Sequence, residues 1–274
     1  MGWDLIIGQR RAKQTIERFL SQNRLPHALL FYGPEGSGKD AVAIQLAKIL
    51  NCSSVHSDSC DKCSDCQKFD LLQHPNLNLV FPLPVGKNES SDDSPIEKLS
   101  ADELSAVQSE IGFKSKNLYH NIIIDRANII KITSIRDIRR KSSLSLYERG
   151  KRVIIIMSAE KMNEEASNAL LKTLEEPLQN TSLILTTSNK DALLPTIISR
   201  CQLVRFDELT EAEIKNALQE RENVDEQQAI IISRLANGSY RRAIELIGPE
   251  LNSKRTTVVD LLVKIITKNT HQIS

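Results

Sequence analysis

The sequence predicts an α/β protein: a mostly parallel sheet flanked by helices, followed by a small all-helical domain. Three observations carry this. First, His27–Tyr32 (HALLFY) is a short apolar run, Gly33–Lys39 a glycine-rich turn, and Ala41–Leu50 resumes a helical pattern, giving strand, loop and helix in succession. Second, two further apolar runs, Val153–Met157 and Ser182–Thr187, are separated by a helical pattern. Alternating strands and helices call for parallel neighbours joined by crossovers. Third, from Leu209 onward the strand signal stops and helical patterns take over.

In chain order, Ala12, Ile16, Phe19 and Leu20 give residues 9–22 a helical spacing. Asn78–Leu83 reads as a second strand. Residues 84–98 (PVGKNESSDDSPIEK) are polar, offer almost nothing to bury, and read as a mobile surface insertion. Ile122–Ile124 is ambiguous between strand and irregular segment. Ile132, Ile135 and Ile138 suggest a helix through about Leu144, with Arg136 and Arg139 on or beside its exposed side. Asn163 is a plausible N-cap, and Glu164 and Glu165 suit a first helical turn. That helix runs through Leu170, Leu171 and Leu174 until Pro177 stops it. Leu193–Ser199 reads as a short helix with Pro195 near its start. Glu211–Arg221, Glu226–Asn237 and Tyr240–Ile247 form the small helical module, with Gly238 as a cap, and one more amphipathic helix is expected around Thr257–Ile266. The expected domains are 1–207 for the sheet and 208–249 for the helical module. Residues 250–274 read as the opening of a further helical domain, cut short.

Composition narrows the class. Of 274 residues, 40% are hydrophobic and 26% charged, ordinary values for a soluble globular chain. A net charge of +1 provides no global field for nucleic acid, so any such contact must come from a local patch or a partner. The longest aliphatic stretch, Val153–Met157, is far too short for a membrane span. Met1–Asp4 has neither the basic nor the apolar region of a secretory signal. A cytoplasmic protein without membrane contact is expected.

Gly33-Pro34-Glu35-Gly36-Ser37-Gly38-Lys39 fits G-x-x-x-x-G-K, the loop whose backbone N–H groups and lysine hold the phosphates of a nucleotide. Its place between strand and helix supports the assignment, and Gly33, Gly36 and Gly38 let the backbone wrap closely. The following position normally supplies a hydroxyl to magnesium, and here it is Asp40. The acidic pair expected at the end of a later buried strand is missing too. Met157 and Ser158 follow Val153–Ile156, and Glu160, the nearest acid, is displaced along the chain. Weakened or altered nucleotide binding, and no independent hydrolysis, are expected.

Cys52, Cys60, Cys63 and Cys66 supply four thiolates within fifteen residues, and two of the spacings are the C-x2-C type that suits a tetrahedral zinc. Four sulfurs leave no open position, so the expected zinc is structural rather than catalytic. His56 lies in the first loop of this module, 52–66.

Several short elements together resemble one family. They are Gly8-Gln9, Leu25-Pro26-His27-Ala28, the loop Gly33–Lys39, the four-cysteine insertion after the loop's helix, Asn168–Pro177 (NALLKTLEEP) and Ser199-Arg200-Cys201. In order and spacing, over residues 4–247, they are similar to the AAA+ subunits of the bacterial DNA polymerase III clamp loader. Within that family, gamma/tau subunits keep the ATPase centre and delta-prime subunits lose it, so the residues at 40, 157 and 158 point to the delta-prime kind. The resemblance implies an arginine finger at Arg200, donated to ATP on a neighbouring subunit, and a nucleotide-sensing lid arginine at Arg241. It implies ATP or ADP with magnesium at Gly33, Gly36, Gly38, Lys39, Asp40 and Arg241, or a vestige of that site. Implied partners are gamma/tau and delta subunits in a hetero-oligomeric ring, the sliding clamp, and primer-template DNA reached through the complex. It also makes 250–274 the start of a C-terminal collar. Two rival readings stand beside it: an active gamma/tau-like motor using Asp40 and Glu160, and a zinc-dependent DNA-binding module.

Overall fold

The structure, a computed structural model, describes residues 2–54, 58–90, 93–142 and 150–247. The helix expected around Thr257–Ile266, the collar segment and His56 lie outside the described residues.

Ten α-helices and five strands follow one another among those residues. They are α1 (Arg10–Ser21), β1 (Ala28–Tyr32), α2 (Lys39–Asn51), α3 (Ser64–Asp70), β2 (Leu77–Val80), α4 (Ala101–Lys116), α5 (Ile132–Ser142), β3 (Arg152–Ile156), α6 (Glu164–Glu175), β4 (Thr181–Thr187), α7 (Pro195–Ile198), β5 (Gln202–Arg205), α8 (Glu211–Glu222), α9 (Glu226–Leu235) and α10 (Tyr240–Glu245). The five strands form one sheet in the order β2-β3-β4-β1-β5, with every pairing parallel. Register is set by pairs such as Ala28 with Leu183, Leu29 with Gln202, and Leu77 with Val153.

Both faces of the sheet are covered, which is why its strands read as unbroken apolar runs. Leu29, Phe31, Val153, Ile155 and Ile184 point into one core with α2 and the helices after residue 209. Ala28, Leu30, Ile154, Ile156, Leu183 and Leu185 point into the other, with residues of α5, α6 and α7. The period-2 alternation of side chains assigns neighbouring residues to opposite cores. A parallel sheet also gathers its C-terminal strand ends on one edge, the usual position for a ligand. Here that edge carries the loop after β1, Met157 and Ser158 after β3, and Ser188 after β4.

Local signals explain the boundaries. The Asn163 side chain caps α6, accepting from the Ala166 amide at 2.9 Å, and the helix ends two residues before Pro177. Pro195 opens α7 at a position where its missing N–H costs nothing. Ile122–Ile124 forms no strand.

Polar contacts at the start of α5 engage the described residues of the insertion at 84–98. Its Glu89 carboxylate is buried, paired with the Lys131 ammonium at 2.8 Å and accepting from the Thr133 hydroxyl at 2.9 Å. Lys131 also donates to the carbonyls of Pro84 and Pro95. A polar segment can thus be pinned when one buried ion pair satisfies its own hydrogen bonds, which composition does not reveal.

Candidate functional site

Gly36 and Gly38 adopt φ of +75° and +93°, and each is closely approached. A Cβ on Gly36 would lie 1.9 Å from the Ser239 hydroxyl, and one on Gly38 would lie 2.9 Å from the Tyr119 ring. The loop between β1 and α2 therefore has no room for other residues at these points. Its amides open α2, whose first turn has no intrahelical partners and carries the positive end of the helix dipole. Lys39 is buried and folds back, donating to the carbonyls of Gly33 (2.8 Å) and Pro34 (2.6 Å). Burial pulls its pKa below the ordinary lysine value, against the opposing pull of Asp40, Glu160 and Glu35.

Asp40 does not stand free beside the loop. One carboxylate oxygen accepts the Thr186 hydroxyl at 2.6 Å, and the other meets the Lys114 ammonium at 3.4 Å. The Lys114 side chain is only 2% exposed and also donates to the His120 carbonyl at 2.6 Å. Burial alone would raise the Asp40 pKa. Lys114, the Thr186 hydroxyl and Lys39 outweigh it and hold the carboxyl below the ordinary aspartate value. Lys114 and Thr186 were both missed from sequence. Thr186 lies in the strand 182–187, but nothing there singles it out. Lys114 sits near the end of α4, at helical spacing from Leu104, Val107 and Ile111, which pack on the core, and a lysine in that place carries no sequence sign of its role.

At the end of β3, Met157 is buried and Ser158 turns through a left-handed conformation with φ of +55°. After that turn Glu160, the nearest acid, lines the cavity wall. One Glu160 oxygen accepts from the Ser188 hydroxyl at 2.7 Å, and the other is buried without a hydrogen-bond partner.

These groups line a cavity of about 320 Å³ that includes Lys39, Asp40, Lys114, Glu160, Lys161 and Arg241. The helical module closes over it. The Tyr240 amide donates to the Gly36 carbonyl at 3.2 Å, and the Leu209 amide donates to the Gly238 carbonyl at 3.1 Å. Arg241 pairs with Glu35 of the loop and with Glu245 at 2.9 Å. Gln9 ties the loop to the start of this module, donating to the carbonyls of Ser37 and Asp207. Tyr119 fills the space beside Gly38, accepts the Ile7 amide at 2.8 Å and meets the Tyr240 ring edge-on at 5.1 Å.

Arg200 lies outside this cavity, just after α7. It pairs with Glu175 at 2.8 Å and donates to the Thr196 carbonyl at 3.1 Å, both within its own chain.

The four cysteines come together as the spacing requires. The sulfurs of Cys52, Cys60, Cys63 and Cys66 all lie within 4.8 Å of one another, with Cys60 and Cys66 at 3.9 Å. Backbone amides converge on them: Cys60 donates to the Cys52 sulfur, Cys63 to Cys60, and Cys66 to Cys63, where α3 begins. Amide hydrogen bonds draw the Cys60 thiol down to about 5, favouring the thiolate a metal needs. Four sulfurs at this separation, with amides already supporting negative charge, could hold a metal ion in a closed tetrahedral site. Lys48, bridging Asp61 (2.7 Å) and Asp70 (2.6 Å), fixes this module to α2.

A family profile described as "DNA polymerase III, delta subunit" matches residues 8–210. The chain belongs to this family. It is 30% identical over 254 residues to the delta-prime subunit of DNA polymerase III from Bacillus subtilis, covering 92% of this chain and 64% of that protein. It is 29% identical to the tau subunit from the same organism, covering 90% of this chain and 37% of that one. The chain thus spans less than two thirds of the length of these relatives. It is of the delta-prime, gamma and tau type, and its sheet is the AAA+ fold. The Thermotoga maritima RuvB Holliday junction branch migration motor shares that fold, with a TM-score of 0.51 at 19% identity over 94% of this chain and 64% of that one. Among the described residues, no helix is long and apolar enough to cross a membrane.

Proposed function

We propose that this DNA polymerase III family member is a non-hydrolysing clamp-loader subunit of the delta-prime kind. It would pack beside an ATP-bearing gamma or tau subunit, with delta in the same ring, and help load the sliding clamp onto primed DNA. One observation carries this reading. Both positions that should face magnesium are spent: Asp40 is engaged by Lys114 and Thr186, and Met157 and Ser158 present no carboxylate. The AAA+ fold suggests a nucleotide with magnesium, but these residues do not fit the metal ion. Gly33, Gly36, Gly38, Lys39 and Arg241 remain as a nucleotide-holding set. In this reading the cysteine cluster takes zinc as a structural staple.

Arg200 is assigned as the finger that stabilises charge on a neighbour's ATP. Its tether to Glu175 joins two substantially exposed side chains, so releasing it costs little. An arginine given in trans accelerates phosphoryl transfer by about 10³–10⁵ at its site. In a loader reconstituted from full-length subunits, Arg200→Ala should lower ATP turnover while the ring still assembles. Unchanged turnover would reject the finger, and failure to co-purify with gamma or tau and delta would reject the subunit assignment.

One observation favours a second reading. Glu160, with a buried and unpartnered oxygen on the cavity wall, gives a gamma/tau-like motor a candidate for positioning water. Magnesium-dependent turnover by the chain alone would support it.

A further inference from the structure

Beside a phosphate loop, a divalent cation offsets the charge of the bound phosphates. Its protein ligands come from the position after the loop lysine and from the end of a neighbouring strand. In this chain the residue after the loop lysine, Asp40, is already engaged by a cation. The Lys114 ammonium, nearly fully buried, lies 3.4 Å from Asp40 and is fixed from the other side by the His120 carbonyl at 2.6 Å. The second Asp40 oxygen is taken by Thr186. A magnesium ion seeking Asp40 would have to displace a hydroxyl and approach an ammonium of like charge, and Met157 offers it nothing.

The remaining lining suits an anion. Lys39, Lys114, Lys161 and Arg241 line the cavity with Glu35, Asp40 and Glu160, and Glu245 pairs with Arg241 from behind, so three lysines face the cavity beside carboxylates that balance the cations overall. The α2 N-terminus adds the partial positive charge of its unpaired amides.

We propose that the cavity binds a polyphosphate chain, as in a nucleoside triphosphate or a free tripolyphosphate, without a divalent cation, the Lys114 ammonium taking that cation's place. The proposal rests on reading the cavity as a phosphate site. It is independent of the Arg200 and ring assignments, which are tested with partner subunits present.

The test is calorimetric titration of the full chain with sodium tripolyphosphate and, in parallel, with ATP. Buffer is freed of divalent ions on a chelating resin and then supplemented with magnesium. A soluble chelator is avoided because it would also strip metal from the cysteines. Binding in the metal-free buffer, unchanged or weakened by magnesium, is the expected result. Tighter binding of ATP than of tripolyphosphate would identify a nucleotide site, and equal binding a site for the bare anion. The paired substitution Asp40→Leu with Lys114→Met, which removes both charges together, should weaken metal-free binding at least tenfold while the melting transition remains cooperative. Absence of binding in metal-free buffer, a tenfold or greater gain on adding magnesium, or undiminished binding by the paired variant would each overturn the proposal.

Discussion

The cysteine cluster and the phosphate-loop cavity both grow from a short spaced motif at either end of α2, but they are completed differently. All four sulfurs come from Cys52 to Cys66, and the amides that support them belong to the same stretch. The cavity takes its loop from Gly33–Lys39 but its charge balance from far away. Lys114 is 74 residues from Asp40, and Thr186 is 146 residues from it. Glu160 and Arg241 arrive from two further elements. A local motif states its own chemistry, whereas a motif completed by the tertiary fold can keep its loop and change what the loop does. Asp40 illustrates this: as a sequence letter it is a defect in a magnesium site, and in the fold it is half of a partly buried ion pair.

Substitutions at three places sharpen that contrast, from the largest expected effect to the smallest. Cys66→Ser removes the buried sulfur of the cysteine cluster, which in the proposed reading holds zinc. It should abolish stoichiometric zinc, measured by elemental analysis, and lower the melting temperature by about 10 °C or more, because structural zinc supplies several kcal/mol of folding free energy. Full zinc content with an unchanged melting temperature would break the comparison on its cysteine side.

Lys114→Met leaves Asp40 largely buried without its cation and should cost about 3 kcal/mol in urea unfolding. The paired Asp40→Leu, Lys114→Met variant should recover most of that loss, and additive costs would show that the two groups do not act together. The pair also has an acid signature. Because the Asp40 pKa is held below its unfolded value, its stabilisation is fully present above the ordinary aspartate pKa. It is lost as pH falls through the depressed value. Asp40→Asn should remove that part of the acid dependence.

Arg200→Ala should change the stability of the isolated chain by less than about 1 kcal/mol, since Arg200 and Glu175 are 37% and 52% exposed. A larger loss would make Arg200 a structural residue rather than one held ready for a partner.

The sheet was legible where burial is two-sided. Ala28–Tyr32, Arg152–Ile156 and Thr181–Thr187 announce themselves as apolar runs because both faces are covered. The edge strand Gln202–Arg205 was missed because only Val204 is buried in it, so no run forms. Helix α4 was missed although Leu104, Val107 and Ile111 recur at helical spacing and Ser100 and Glu103 form a capping box at its start. At the site, the loop glycines, Lys39 and the cysteines could be read directly. Lys114 and Tyr119 could not, because their importance lies in contacts that no spacing rule connects to residues 33–40. Likewise the insertion at 84–98 was read from its polar composition, and its anchoring by Glu89 depends on Lys131, outside the segment.

The central claim is that this AAA+ chain keeps a phosphate loop but has exchanged its magnesium-facing chemistry for an internal ion pair. The most direct test is phosphate release by the purified full chain supplied with ATP and magnesium, compared with Lys39→Ala. The account predicts release indistinguishable from the Lys39→Ala background. Magnesium-dependent release that disappears in Lys39→Ala would contradict it and return the chain to the motor reading through Glu160.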